Sequence, residues 1–353
     1  MKRILRFILS IILAAIFFSE IYAQDDLDKT LSKLTQDATS HYIAPIISGF
    51  GADMNSGWMT TIPQPVEFSI DVNLKLVAMG TFFSDANKSF NTTSTFRFNR
   101  DEALTLTQSI SDENTRQAVI NQILNQNFSV GIHGPTVIGN KDDHIIVNFE
   151  GHNFTVNNQN FEVGAQTIET DINGVLHDLP FMPLAAPQLT IGTVYGSRLA
   201  IRYLPSIELN SDLGDFSYFG IGVLHNPAMW FPNPLPFDFA VGIFTQTMKA
   251  GNIFDASATE FSIFAGKTFG PSMFNVSPYA GLSIETSSVT VKYQEVLNTP
   301  TGTSTQNISF DLKGENSFRF ILGSSFKLSA VSLTVDYNFS SYSSFSAGFG
   351  FDF

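Results

Sequence analysis

The sequence predicts an all-β fold, a transmembrane antiparallel β-barrel of about 12 to 14 strands with a short N-terminal helix and a plug-like segment. Long stretches alternate between apolar and polar residues, as strands with one apolar face do. The chain opens with an export signal, and no later stretch is apolar enough for a membrane helix. Because only helices and closed barrels satisfy every backbone group in lipid, a membrane protein with this sequence must be a barrel.

The C-terminal stretch shows the clearest alternation, which continues to the last residue. Its apolar face is a row of aromatic and small residues: Phe345, Ala347, Phe349, Phe351 and Phe353. Its opposite face is small or polar: Ser344, Ser346, Gly348, Gly350 and Asp352. In a transmembrane barrel the apolar row faces lipid and the other row faces the lumen. The alternative is the edge strand of a soluble β-sandwich.

Residues 66–76 form a second alternating run, and its polar face carries Glu67, Asp71 and Lys75. Three ionisable groups on one strand face need water or partners, which a lumen supplies and a sandwich core does not. Regular strands return after residue 187, where Gly196 and Ser197 form a two-residue hairpin turn. Residues 275–293 change phase near Glu285, which indicates either a bulge or a strand that continues beyond the membrane.

The region between the early and late strands is harder to assign. Residues 111–125 carry apolar residues at helical spacing and are predicted to form a helix in a loop excursion. Residues 127–187 mix Gly, Asn and Pro with short apolar pieces, and their strand order is not predicted.

The start of the chain has the features of a secretory signal peptide. Lys2, Arg3 and Arg6 precede an apolar run that is too short to span a bilayer, and Ala23 follows as a small residue. The predicted organisation is therefore a cleavable signal peptide at 1–23, an N-terminal helix and plug-like segment at 24–62, and a barrel at 63–353. The predicted location is the outer membrane of a Gram-negative bacterium, with its lipids as partners.

The segment after the signal peptide combines a helix with an irregular apolar stretch. Residues 25–40 have leucines at helical spacing and acidic residues in the first turn. Residues 41–58 are interrupted by Pro45, Gly49, Gly51 and Gly57, so they are predicted to be irregular but buried. Two interpretations stay open, a plug in the lumen and a cap on the periplasmic end. The candidate ligand-binding residues of the plug are Ile43, Ile47, Phe50, Asn55 and Trp58.

Charge and motif content exclude several functions. The chain has 19 Lys and Arg against 32 Asp and Glu, a formal net charge of −13, which argues against nucleic-acid partners. Its six histidines show no metal-ligand spacing, and no nucleophile elbow or phosphate-binding glycine loop occurs. We therefore expect no enzyme activity, no metal and no cofactor.

Four stretches, residues 42–58, 199–206, 220–226 and 234–239, resemble an uncharacterised family of Gram-negative outer-membrane proteins of unknown function. The layout is more distantly similar to outer-membrane transporters of long-chain fatty acids and hydrocarbons. The terminal Phe353 resembles the assembly signal of bacterial barrels, which implies the barrel assembly machinery as a partner. The amphipathic strands together with the apolar, glycine-interrupted segment 43–58 predict passive transport of a small hydrophobic ligand across the outer membrane. The alternative is a structural or surface-interaction barrel with a filled lumen.

Overall fold

The computed structural model describes residues 36–177, 179–210, 214–233, 235–299 and 302–353. The predicted signal peptide and most of the helix expected at 25–40 lie outside these residues. The described chain forms two compact units. Unit 1 contains residues 44–84 and those from 179 onward, and unit 2 contains residues 36–43 and 85–177.

The elements among the described residues are three α-helices, two short 3₁₀ helices (Asp85–Asn87 and Pro227–Trp230) and seventeen strands. The helices are α1 (Gln36–Met54), α2 (Arg100–Leu106) and α3 (Glu113–Asn125). The first strands are β1 (Phe68–Phe82), β2 (Ser89–Phe96), β3 (Phe128–Pro135), β4 (Ile146–Phe149), β5 (His152–Val156), β6 (Gln159–Val163) and β7 (Gln166–Glu169). The later strands are β8 (Phe181–Val194), β9 (Ser197–Asn210), β10 (Gly214–His225), β11 (Asp238–Ala250), β12 (Phe254–Gly266), β13 (Phe274–Thr299), β14 (Gly302–Lys313), β15 (Phe318–Leu328), β16 (Val331–Phe339) and β17 (Ser344–Asp352).

Unit 1 is a closed antiparallel barrel of ten strands, in the order β1, β8, β9, β10, β11, β12, β13, β15, β16 and β17. The β1–β17 and β12–β13 pairings close the ring. The sequence suggested 12 to 14 strands, and the structure gives fewer for two reasons. Strands β2 to β7 pair only among themselves, and β14 pairs with the part of β13 that begins at Ser288.

The barrel wall has an apolar outer face, as the alternation predicted, and an inner face that combines polar side chains with a buried apolar cluster that includes Leu224, Phe244 and Phe264. In β17 the side chains of Phe349 and Phe351 are exposed, whereas Ser344 and Ser346 are buried. On β12 the outward residues Phe261 and Ile263 are exposed and apolar, but Ser257 further along the same face is polar. The outer face therefore carries an apolar band that ends before the strand does.

Most of unit 2, residues 85–177, is an insertion between β1 and β8, within the range that the sequence assigned to the barrel. Its sheet has the order β2, β3, β4 and β7, and β5 and β6 form a separate hairpin. Helix α3 confirms the helix expected at 111–125. Asp112 caps it by accepting a hydrogen bond of 2.8 Å from the Thr115 N–H. The bonds from Thr115, through its side chain and its backbone, lower the pKa of the Asp112 carboxyl.

One local prediction is corrected, and one of the two alternatives at Glu285, the bulge, is excluded. Helix α1 runs through residues 41–54, which were expected to be irregular, even though Pro45 lies inside the helix. The helix persists because most of its residues are buried. At Glu285 there is no bulge, because the β12–β13 register continues without a shift. The apolar residues instead move from the outer face to the inner face of one long strand. No described helix is long and apolar enough to cross a membrane.

The division into two units can be tested in the core of unit 2. Ile120 is fully buried there, so Ile120→Ala should destabilise unit 2 by about 2 to 5 kcal/mol. Hydrogen exchange should then quicken in residues 113–169 and leave the barrel strands unchanged, and the exposed Gln122→Ala serves as the control. An equal loss of protection in the barrel would show that the two units unfold as one.

Candidate functional site

Residues 44–63, called here the inner segment, contact both ends of the barrel strands. Near its start, the Thr81 hydroxyl at the end of β1 donates to the Gly49 carbonyl at 3.2 Å. At its end, the Asn226 amide donates to the Pro63 carbonyl at 2.7 Å. Asn226 follows β10, and β10 ends where β1 begins because neighbouring strands are antiparallel. The inner segment therefore follows the inner wall from one end to the other.

Helix α1 ends at Met54, and its last carbonyls have no partners within the helix. The guanidinium of Arg202 supplies donors, with Nη1 lying 3.4 Å from the Met54 oxygen and Nη2 2.8 Å from the Ser56 oxygen. Both nitrogens approach from strand β9. The negative end of the helix dipole therefore meets a fully buried cation.

The next carbonyls are bound by cations from two other strands. Arg319, on β15, donates from Nη2 to the Asn55 oxygen at 2.5 Å. Lys75 Nζ, from β1, donates to the Gly57 oxygen at 3.3 Å and to the Met59 oxygen at 2.6 Å. These bonds recognise the backbone, so they fix the path of the segment independently of its side chains.

A buried ion-pair cluster lies beside these bonds. Arg319 Nη2 is 2.6 Å from Glu260 Oε2 and 3.1 Å from Glu285 Oε2. The three side chains are at most 1% exposed, so water does not screen the charges. Ser283 donates to the other oxygen of Glu260 at 2.7 Å. Three barrel strands, β12, β13 and β15, are therefore joined around one guanidinium.

Amide and aromatic side chains complete the network. Gln188 Nε2 donates to the Trp58 oxygen at 3.2 Å, and Gln246 Nε2 donates to Asn55 Oδ1 at 2.6 Å. The indole of Trp58 lies 3.9 Å below the Arg202 guanidinium carbon and stacks on Phe244 at 4.9 Å. Ser56 and Ser344 share a hydroxyl contact of 2.7 Å. Hydrogen-bonding side chains thus reach the inner segment from seven strands: β1, β8, β9, β10, β11, β15 and β17.

The five candidate ligand-binding residues do not lie together in the structure. Asn55 and Trp58 lie inside the network, and both are buried. Phe50 packs on Phe254 with ring centroids 5.9 Å apart, and Ile47 is also buried in unit 1. Ile43 belongs to unit 2.

The sequence analysis missed most charged members of the network. Glu260 and Arg319 each interrupt an apolar strand, as in Phe318-Arg-Phe320, and this signal could have identified them. Among the described residues, no group of three or more His, Cys, Asp and Glu side chains could hold a metal ion. The arrangement binds a polypeptide segment through its backbone carbonyls.

Removing the central cation tests the cluster. Arg319→Met should destabilise the barrel by about 3 to 5 kcal/mol, because Glu260 and Glu285 then stay buried without a cation. Lys327→Met is the control, since Lys327 is partly exposed and lies 3.8 Å from Asp352. Lys327→Met should lower the free energy of unfolding by about 0 to 1 kcal/mol. Both variants are measured by urea unfolding in vesicles. Adding Glu260→Gln and Glu285→Gln to Arg319→Met should restore much of the stability, and no recovery would contradict a dominant charge effect.

Comparison with solved structures gives weak likenesses to barrel proteins. A loop L8 deletion mutant of OmpT, an outer membrane protein of Vibrio cholerae, is 9% identical, with 82% of this chain and 100% of that chain covered and a TM-score of 0.23. A triple mutant of the Rhodopseudomonas blastica porin is 8% identical, with 81% and 100% covered and a TM-score of 0.15. Such scores add nothing to the fold assignment, which rests on the strand pairing.

No curated protein matches the chain. The resemblance to fatty-acid transporters stays a prediction, but the resemblance to an uncharacterised family is confirmed. The model of a family of unknown function, DUF6588, matches residues 1–353, and the chain belongs to that family.

Proposed function

We propose that the protein is an outer-membrane β-barrel of a Gram-negative bacterium whose inner segment plugs the lumen, with a structural or surface-interaction role. One observation carries the proposal: the backbone carbonyls of the inner segment are bound by buried side chains of the barrel wall. A closed antiparallel ring is one of the two structures that satisfy every backbone group in lipid.

The outer surface supports contact with lipid. Exposed apolar side chains on neighbouring strands form a band, for example Ile243, Ile263 and Leu282. Aromatic residues lie near both ends of the strands, with Phe82 at one end and Tyr195 and Trp230 toward the other. We propose outer-membrane lipids as partners on this band. Export by a cleavable signal peptide and assembly through the exposed Phe353 are parts of the same proposal.

A filled lumen explains the contacts better than passive transport does. A small hydrophobic ligand would have to pass the inner segment, where the wall presents the charged Lys75, Arg202 and Arg319. Displacing the segment would leave these buried cations without their carbonyl partners, which is costly. Passive transport therefore requires a rearrangement that the filled-lumen proposal does not.

The surface role follows from the connection between β1 and β8, which contains unit 2. At the opposite end of the barrel, β8–β9 and β15–β16 are joined by two-residue turns, and the longest connection there, residues 226–237 between β10 and β11, is much shorter than residues 83–180 between β1 and β8. Bacterial barrels have short periplasmic turns and longer extracellular loops. We therefore propose that the β1–β8 connection leaves the barrel at its extracellular end and is the part of the chain available to a surface partner.

The lipid contact can be tested on one strand face. Ile263→Arg places a charge in the apolar band and should cost about 2 to 4 kcal/mol of folding free energy in vesicles. Ser257→Arg lies on the same face of β12 beyond the band, so it should cost about 0 to 1 kcal/mol. Equal costs would contradict a lipid boundary between these positions.

The plug can be tested with a disulfide, because the chain contains no cysteine. Ser56→Cys with Ser344→Cys replaces two hydroxyls that are 2.7 Å apart, so oxidation should lock the inner segment to β17. A filled lumen predicts equal uptake of a labelled fatty acid and equal bilayer conductance in the oxidised and reduced states. The single Ser56→Cys variant controls for the oxidant. A fall in uptake on oxidation that reduction reverses would support passive transport instead.

A further inference from the structure

A groove crosses the outer face of the barrel between the apolar band and the strand ends at which the β1–β8 connection leaves. It has a volume of about 510 Å³, within the usual range for ligand sites. Its lining comes from five neighbouring strands, β9 to β13. Exposed and buried residues alternate along the lining, with the buried Met248 between the exposed Thr247 and Lys249, so the groove opens on the outside of the wall.

A β-bulge shapes one end of the groove. Strand β9 has two residues between Leu204 and Ile207, whereas β10 has one residue between their partners. Pro205 is one of the two, and a proline is tolerated at a bulge because it has no N–H to pair. A bulge bends its strand and increases the local twist. The position of a single proline in the sequence therefore accounts for the bend of β9 at the edge of the groove.

Hydroxyl groups without protein partners occupy the middle of the groove. Thr247 and Ser257 lie opposite each other on β11 and β12, and both are exposed. Among the described residues, neither hydroxyl forms a hydrogen bond. By contrast, the hydroxyls of Thr245 and Thr259, two residues nearer the apolar band, are 3.3 Å apart and pair with each other. The hydroxyls of Thr247 and Ser257 can therefore donate to a bound polar group and accept from it.

A charged pair lies next to these hydroxyls, toward the strand ends. Lys249 is directly opposite Asp255, and its Nζ lies 3.8 Å from Asp255 Oδ1, which is too long for a hydrogen bond. The Lys249 side chain is 69% exposed, so its N–H groups can reach a ligand. Lys292 donates to the other oxygen of Asp255 and holds that carboxylate in place. The groove thus offers a cationic donor and an anionic acceptor side by side.

Two aromatic rings form the end of the groove at β9 and β10. Tyr203 and Phe219 lie opposite each other and are 58% and 48% exposed. The next outward residues toward the band are Ile201 and Ile221, so the rings mark the border between the band and the groove. The face of an aromatic ring carries partial negative charge and attracts the partial positive charge of C–H groups.

We propose that this groove binds the saccharide headgroup of a glycolipid. A sugar ring has the matching chemistry, because its C–H face can pack on Tyr203 and Phe219 while its hydroxyls donate to and accept from the polar side chains. The position of the groove favours a lipid as the source of the sugar. A headgroup bound there would leave its acyl chains along the apolar band, which begins at the border of the groove.

This site deepens the proposed function, on whose membrane location it rests. It is independent of whether the lumen transports anything. At the proposed extracellular end of the barrel, the glycolipid would be one of the outer leaflet.

The test compares a sugar headgroup with a headgroup that has hydroxyls but no sugar ring. The full protein is folded into phosphatidylcholine vesicles that contain a glucosyl diacylglycerol or a phosphatidylglycerol, each with the same acyl chains and a photoactivatable headgroup. Labelling of residues 203–219 and 247–257 is measured by mass spectrometry. We expect labelling to favour the glycolipid by about fivefold, as for about one additional net hydrogen bond. Equal labelling, or a preference for the anionic phosphatidylglycerol, overturns the proposal.

Matched hydroxyl variants locate the site. Thr247→Val with Ser257→Ala removes the two unpaired hydroxyls and should lower glycolipid labelling by about fivefold. The control is Thr245→Val with Thr259→Ala, which removes two hydroxyls from the same face of the same strands outside the groove. The control should label as the wild-type protein does. Unchanged labelling in the groove variant, or an equal loss in both variants, contradicts a site at the groove.

Two further measurements separate the possible failures. Soluble glucose at the concentration of the glycolipid should leave labelling unchanged, and displacement by it would overturn the assignment of a lipid. Vesicle flotation reports membrane insertion. Protein that floats with the vesicles but shows no lipid preference overturns the site alone. Protein that does not float contradicts the proposed function and the site together.

Discussion

The binding of backbone carbonyls by buried cations is the interaction on which the barrel depends. Arg202 and Arg319 are fully buried and Lys75 is 3% exposed, so all three have lost their contact with water. Such burial is unfavourable unless each charge finds partners. Among the described residues, Arg202 and Lys75 form no ion pair with a carboxylate, and the carbonyls of residues 54–59 take that place. The wall and the inner segment therefore require each other, and we infer that they fold together.

Small residues give the segment the space that this arrangement needs. Gly57 has a φ of 71°, a left-handed conformation that favours glycine, and a Cβ there would lie 2.6 Å from Val77. Gly220 leaves room for the Trp58 ring, since its Cβ would lie 2.9 Å from the indole. The aromatic and cationic contacts of Trp58 thus depend on the absence of a side chain at Gly220 in β10.

Much of the fold could be predicted from the sequence because alternation reports the two faces of a strand directly. The final strand and the strand that begins near residue 66 both have the expected faces. The number of barrel strands was harder to predict from the sequence, because the pairing partners of the strands in residues 85–177 depend on contacts distant in sequence. Helix α1 was not predicted, because burial outweighs the local cost of Pro45.

In the site, Asn55 and Trp58 could be predicted from the sequence, because they are polar and aromatic residues of a segment that was expected to be buried. Glu260 and Arg319 could have been identified as charges that interrupt strands, but their pairing with each other and with Glu285 becomes visible only when the ring closes.

The most direct test of the account is the distance between a buried cation and the carbonyl that it binds. Solid-state NMR on protein in lipid, with ¹⁵N at the lysine ammonium groups and ¹³C at the methionine carbonyls, reports the Lys75–Met59 pair. The Nζ lies 2.6 Å from the Met59 oxygen, so the nitrogen and the carbonyl carbon should be no more than about 3.8 Å apart. Strong dipolar coupling that disappears in Lys75→Arg, which lacks the labelled ammonium, is the expected result. Absence of this coupling in the folded, membrane-inserted protein would contradict the account.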